Sequence, residues 1–330
     1  MISIKMRFIF LILLQVSVFA TDFDCVMIGS SPFSLFEALY QYHSGKKVLI
    51  LEENAECGGA WKGVNVCGIM HADLGCHQIG HDATLKTFLE EYAGCKIVSM
   101  DNPLLPFEPS KSPNGWYFSH GCYELIENLL KLISMTDIVL LTEQKAENVV
   151  VDAAQKIATV KTKEKSYTTR KLIVTPMSCI TLNPASSPQN YNKSKYFHLY
   201  MLIQDPTPPK FSYQGGIAAG VSRMMNLTHF VGLTETGRHL IVVQTHSEQA
   251  LANGQVFLDA LKKGKWLDAS AYILKSEPYI YETGAFHQGL IAQIGAQGII
   301  ELLQTGHFQT LSTYVPKWKQ ALKPINQVFN

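Results

Sequence analysis

The apolar and polar positions fall into a recognisable order from Asp24 onward. Cys25-Val26-Met27-Ile28 is a short apolar run, the length of a strand buried on both faces. A turn of small residues follows, Gly29-Ser30-Ser31-Pro32-Phe33-Ser34, and then an amphipathic stretch. Val48-Leu49-Ile50-Leu51 returns as a second apolar run, capped by Glu52 and Glu53. This order predicts a βαβ unit whose helix presents unpaired N–H groups at the end of a buried strand, where a pyrophosphate can sit. Glu52 falls where a ribose hydroxyl would be. Of the G-x-G-x-x-G fingerprint only Gly29 is present, with Ser31 and Ser34 at the other two glycine positions. Both serines are small and can donate to phosphate, although each carries a Cβ that narrows the approach. On the loop alone, a parallel βαβ unit without a nucleotide is the alternative.

Further along, Tyr123 to Ile133 has helical periodicity. It is followed by I-V-L-L, A-E-N-V-V-V-D, I-A-T-V-K-T-K and K-L-I-V-T-P, a series of strands ending at Thr175-Pro176. Tyr196 to Gln204, Ile217 to Met225 and Leu240 to Thr245 read as strands of a second sheet. Leu290 to Leu303, preceded by Gly284-Ala285-Phe286-His287-Gln288-Gly289, reads as a helix.

Composition narrows the classes. The 330 residues carry 17% charged and 47% hydrophobic side chains and a formal charge of +1. That describes a globular chain with no basic stripe for a nucleic acid. Lys5 and Arg7 precede an apolar run from Phe8 to Ala20 that ends in small side chains. Residues 1–20 therefore resemble a secretory signal peptide and are short for a membrane span. The chain is expected to be secreted, periplasmic or in the secretory lumen, with membrane association only if this segment stays uncleaved. Export would permit disulfides, and of the seven cysteines Cys57, Cys67 and Cys76 are close enough in sequence to pair. His71, His77 and His81, with Cys67 and Cys76, match no familiar zinc spacing, so no metal is expected.

One resemblance joins these segments. Gly58-Gly59 after the second strand, then Asp73-Leu74-Gly75-x-His77, then the helix and strands to residue 180, resemble the flavin-containing amine oxidase superfamily, of which this would be a degenerate member. That group includes phytoene desaturases, UDP-galactopyranose mutases, prenylcysteine oxidases and renalase. The resemblance implies an α/β fold, a Rossmann-like FAD-binding domain with an inserted antiparallel-sheet substrate domain. Residues 21–185 would form the first part of the FAD domain, 186–278 the substrate domain and 279–330 the return with a closing helix. It implies cofactor contacts at Gly29, Ser30, Ser31, Pro32, Phe33, Ser34, Glu52, Glu53, Gly58, Gly59, Ala60 and Trp61. Gly75 and His77 would lie near the flavin ring and Ala146 on the adenine side, with Gly284, Gln288 and Gly289 before the closing helix. Where the family has Gly-Glu or Gly-Asp, this chain has Gly284-Ala285. Tyr279, Tyr281 and Arg223 are substrate candidates. Trp61 is equally a core residue, the tyrosines equally packing, and Arg223 equally a solvated edge residue. The implied activity is hydride transfer from a small substrate to FAD, with oxygen as acceptor. A mutase-like flavoenzyme without net redox, or a non-catalytic relic of the fold, is the alternative.

Overall fold

The computed structural model describes residues 21–75, 79–80, 82–99, 115–175, 181–183, 192–209, 213–215, 221–245, 248–252, 254–285, 298–303 and 308–328. Residues 1–20, Cys76, His77, His81, Cys179, Gln288 and Gly289 lie outside them. The predicted βαβ unit is present as β1 (Phe23–Ile28), α1 (Pro32–His43) and β2 (Val48–Leu51). The strands pair in parallel, Cys25 beside Val48 and Ile28 beside Leu51. Successive β1 residues serve opposite faces: Cys25 and Met27 pack with α1, whereas Val26 and Ile28 pack on the other side of the sheet. A strand covered on both faces has no solvent side to carry polar residues, which is why it reads as a continuous apolar run.

The chain then forms a short hairpin of β3 (Val64–Val66) and β4 (Ile69–Ala72), followed by α2 (Ala83–Ala93) and a second short pair, β5 (Ile97–Ser99) with β6 (Trp116–Phe118). Helix α3 (Tyr123–Ile133) has the predicted bounds, and its buried face is Leu125, Ile126, Leu129, Leu132 and Ile133. β7 (Val139–Leu141) adds to β2, and the meander β8 (Asn148–Asp152), β9 (Ile157–Lys161) and β10 (Ser166–Val174) returns the chain to β1. β11 (Thr181–Asn183) closes the far edge beside β8.

The second sheet is antiparallel throughout. It contains β12 (Asn192–Gln204), β13 (Tyr213–Gly215), β14 (Val221–Asn226), β15 (Arg238–Thr245) and β16 (Tyr272–Ala285), in the spatial order β13-β14-β15-β12-β16. Its two faces are built from alternate residues. Leu199, Met201, Ile203, Ile241 and Val243 form a core with helix α4 (Gly254–Lys263), through Phe257, Leu258 and Leu261. Tyr200, Met225, Leu240 and Val242 point the other way, into the same core as α1, α2 and α3.

The C-terminal segment departs from the sequence reading in two ways. Tyr279 to Ala285, expected in the return segment, are the end of β16 and pair with β12, Gly284 opposite Lys193. Part of the helix expected over residues 290–303 is instead a strand, β17 (Ile300–Leu302), parallel to β10 at Leu172–Val174. An apolar run of this length has no periodicity that separates strand from helix, and a vacant partner on β10 decides it. The helix after that strand is α5 (Phe308–Trp318), which packs against α1 and α2, and α6 (Ile325–Val328) ends the described chain. Among the described residues no helix is long and apolar enough to cross a membrane.

Candidate active site

The turn after β1 is the first half of the site. Gly29 has φ +92°, a conformation that L side chains rarely adopt, and this lets the chain turn sharply into α1. Ser31 is the N-cap of α1, its Oγ accepting the Ser34 N–H at 3.4 Å, while its carbonyl accepts that of Leu35 at 2.9 Å. Pro32 has no N–H to give. Of the groups expected to cradle a phosphate, the N–H of Ser31 and Phe33 have no acceptor among the described residues, and the Ser31 and Ser34 hydroxyls lie 3.2 Å apart beside them. The side chains of Phe33 and Ser34 are buried.

Glu52, expected beside a ribose, is buried and fully engaged. Its Oε2 accepts from Ser30 N at 3.0 Å and Ser30 Oγ at 2.5 Å; its Oε1 accepts from Asn54 N and Asn54 Nδ2, both at 2.8 Å. Ser30 Oγ in turn accepts from Gly58 N at 2.9 Å, so one hydroxyl ties the turn, the carboxylate and the glycine pair together. A carboxylate has about four acceptor positions. All four are used, yet one belongs to the exposed side chain of Asn54, which can swing into water and yield its place to a ribose hydroxyl. The residues therefore fit a dinucleotide, with Asn54 as the exchangeable partner.

The remaining candidates separate by position. Gly58, at φ +111°, is filled by the neighbouring helix, since a Cβ there would lie 2.9 Å from Ile126 Cγ1; Gly59 has open space instead. Trp61 is a core residue, as is Ala146 on the opposite face of the sheet, while Ala60 is half-buried beside Trp61. Glu53 is a correction: it points into solvent and pairs with Lys145 at 2.8 Å, because consecutive residues at a strand end face opposite ways. Gly284 lies in β16, opposite Lys193 of the antiparallel sheet. Cys57 and Cys67, close enough in sequence to pair, are free thiols, as are Cys25, Cys95 and Cys122, and all five are buried.

The second half of the site is the segment after β4. Asp73 Oδ1 accepts the N–H of Cys122 at the start of α3 at 2.8 Å, and its carbonyl accepts from Tyr200 Oη at 2.6 Å. The segment is thus pinned between α3 and β12. Asp73 Oδ2 is buried with no partner, and burial holds the carboxyl up at about 7. Gly75, at φ +80°, touches the sheet: a Cβ on it would lie 2.9 Å from His198 Nε2.

His198 belongs to a polar row that the sequence reading did not single out. Arg223, Gln244, His198 and Tyr279 are opposite neighbours across β14, β15, β12 and β16. Opposite residues of antiparallel strands share a face, and this one looks toward the Rossmann unit. Arg223 Nε donates to Gln244 Oε1. His198 is only 3% exposed and its Nδ1 has no partner; burial, then the Arg223 charge, lower its pKa to about 4, so it is neutral at pH 7. Tyr281, one register further on, is half-buried, and burial followed by the neighbouring tyrosines raises its hydroxyl pKa. The signal available in the sequence was the alternation of His198, Tyr200 and Leu202 with Leu199, Met201 and Ile203, which marks two differently used faces.

No protein-family model and no curated protein matches this chain. Solved structures do resemble it. A protoporphyrinogen oxidase-like protein from Exiguobacterium has a TM-score of 0.62 at 9% identity, covering 90% of this chain and 98% of its own. Putrescine oxidase bound to putrescine has a TM-score of 0.61 at 12% identity, with coverage of 90% and 98%. Cyclohexylamine oxidase from Brevibacterium oxydans has a TM-score of 0.59 at 12% identity, with coverage of 91% and 98%. At these identities the likeness establishes a shared fold, mixed α/β with a parallel and an antiparallel sheet, similar to these oxidases.

Proposed function

We propose that the chain is an FAD-dependent oxidoreductase acting on a small amine-bearing substrate, with oxygen as the electron acceptor. The observation that carries this reading is the contact of Gly75 with His198, which brings the polar row of the antiparallel sheet onto the segment that follows the nucleotide half of the site. When bound, FAD would supply a two-electron acceptor, taking hydride at N5 from the carbon bearing the amine and passing the pair to oxygen to give hydrogen peroxide. The chain's own residues position and desolvate. Ser31, Phe33 and Ser34 would hold the pyrophosphate and Glu52 a ribose hydroxyl. Tyr279 and Tyr281 would form an aromatic wall, and His198, neutral at pH 7, would hydrogen-bond the substrate without adding charge. Loss of hydride from a neutral amine requires orientation more than a base.

The test is the purified protein's spectrum and its titration with FAD. A flavin band at about 450 nm, together with peroxide release on adding amines, is the expected result. A second reading, a nucleotide-free member of the fold, is favoured by the saturation of Glu52. A colourless protein that ignores added FAD would establish that reading and sink the first.

Export belongs to the same proposal and rests on residues 1–20. The thiols are compatible with an oxidising compartment: burial raises the pKa of Cys25 to about 12 and raises those of Cys57, Cys67, Cys95 and Cys122. It thereby suppresses the reactive thiolate.

A further inference from the structure

We infer that the polar row over Gly75 is a carboxylate-binding subsite with Arg223 as its anchor, so that the substrate of the proposed reaction carries an acid group as well as an amine. The oxidation part of this statement rests on the reading above; the anion subsite stands on its own geometry.

Arg223 is half-buried on the face of β14 turned toward the Rossmann unit. Its Nε is committed to Gln244 Oε1, and Gln244 is itself buried, which fixes the plane of the guanidinium. Among the described residues no carboxylate pairs with Arg223, and its two terminal nitrogens have no acceptor. A partly desolvated guanidinium held in one plane with its fork unpaired is poorly compensated until a planar anion arrives. A carboxylate matches that fork with two parallel hydrogen bonds.

The neighbours point the same way. His198, two strands across, is buried with Nδ1 unpartnered, a second polar atom without a protein mate on the same face. Being neutral, it can donate to a bound carboxylate or accept from an amine according to its tautomer. The acid that shares this face, Glu277, is taken by Lys275 and by the Cys67 N–H at 2.8 Å. Glu282 pairs with Lys195. The described face therefore offers a fixed positive charge, its own acid Glu277 is paired, and the Asp73 carboxyl that meets it from the loop is held up at about 7 by burial, an arrangement that favours an acid over a simple diamine. An amino-carboxylate satisfies both ends, its acid on Arg223 and its amine toward Tyr279 and Tyr281.

Benzoate and benzylamine share a ring and differ in charge, and calorimetric titration of each into the purified full chain decides the matter. Benzoate is expected to bind and benzylamine to bind more weakly. Arg223→Gln should weaken benzoate about ten-fold or more, and Arg223→Lys should restore part of the loss. Gln244→Glu, which places a carboxylate beside the guanidinium, should also abolish benzoate binding, so the test survives if the Arg223 variants do not fold. Absence of benzoate binding, a preference for benzylamine, or indifference of benzoate to both kinds of variant would overturn the inference. Flavin absorbance is read separately on the same samples. A yellow protein that ignores benzoate refutes the subsite and leaves the oxidoreductase reading, whereas a colourless one that binds it does the reverse.

Discussion

Two buried carboxyls decide how the site behaves, and they are held differently. Glu52 has four donors for its two oxygens, three of them from backbone N–H groups or the buried Ser30 hydroxyl and the fourth from the exposed Asn54 amide. Removing that amide with Asn54→Ala leaves one acceptor position vacant at no cost to the others. The expected outcome is tighter FAD binding by about 1 kcal/mol, the net worth of one such hydrogen bond, read as a fall in Kd by flavin fluorescence. Asp73 draws its carboxylate donors from Cys122, the backbone N–H and the thiol, and its Oδ2 is buried without a partner. Burial raises its pKa from an ordinary 3.8 to about 7. Unfolded, it ionises near pH 4; folded, it keeps its proton up to about pH 7. The folded state thus binds more protons in that window, and stability falls as pH rises through it. Asp73→Asn keeps an oxygen for Cys122 and does not ionise. Urea titrations at about pH 4.5 and pH 7.5 should show the variant gaining on the parent by up to about 3 kcal/mol at the higher pH. An unchanged difference would mean Asp73 ionises freely in the fold.

At the scale of elements, α1 and α5 are joined by a buried acid that no motif announces. Glu37, fully buried on α1, accepts from Lys317 Nζ at 2.8 and 2.9 Å, from Trp318 Nε1 at 2.9 Å and from Gln41 Nε2 at 2.7 Å. Trp318 stacks on Phe36 with ring centroids 5.0 Å apart, so aromatic packing and charge fix the same contact. Glu37→Ala strips a buried indole N–H and a lysine of their acceptor together, with an expected loss of about 3–5 kcal/mol in urea unfolding. Glu37→Gln, which keeps an oxygen for Trp318, should lose less. The elements legible in the sequence were those with a long period. The opening βαβ unit, the helix at Tyr123–Ile133 and the meander all lie where apolar spacing predicted. Ile300–Leu302 forms a strand where apolar spacing suggests a helix, because three residues carry no period, and Tyr279–Ala285 continues β16, because a long edge strand has no internal boundary.

For the whole molecule, the two sheets share one buried core. Tyr200, Met225, Leu227, Phe230, Leu240 and Val242 from the antiparallel unit share a continuous core with Phe33, Phe36, Phe88, Leu125 and Trp318 from the Rossmann unit. Exposing either unit would open that core, so chemical unfolding followed by tryptophan fluorescence and by far-ultraviolet circular dichroism should give coincident transitions. Two separated transitions would show that the units fold independently. The sequence by itself determined the first half of the candidate site: Gly29, Ser31, Ser34 and Glu52 are neighbours along one βαβ unit, and local periodicity places them. Tertiary structure alone decided the other half. Arg223, Gln244, His198 and Tyr279 come from four strands, and Gly75 from a loop far from all of them in sequence. Only strand register puts those four side chains in one row, and only the shared core presses that row onto Gly75. Register and packing depend on contacts between distant segments, which no local pattern of hydrophobic and polar residues encodes.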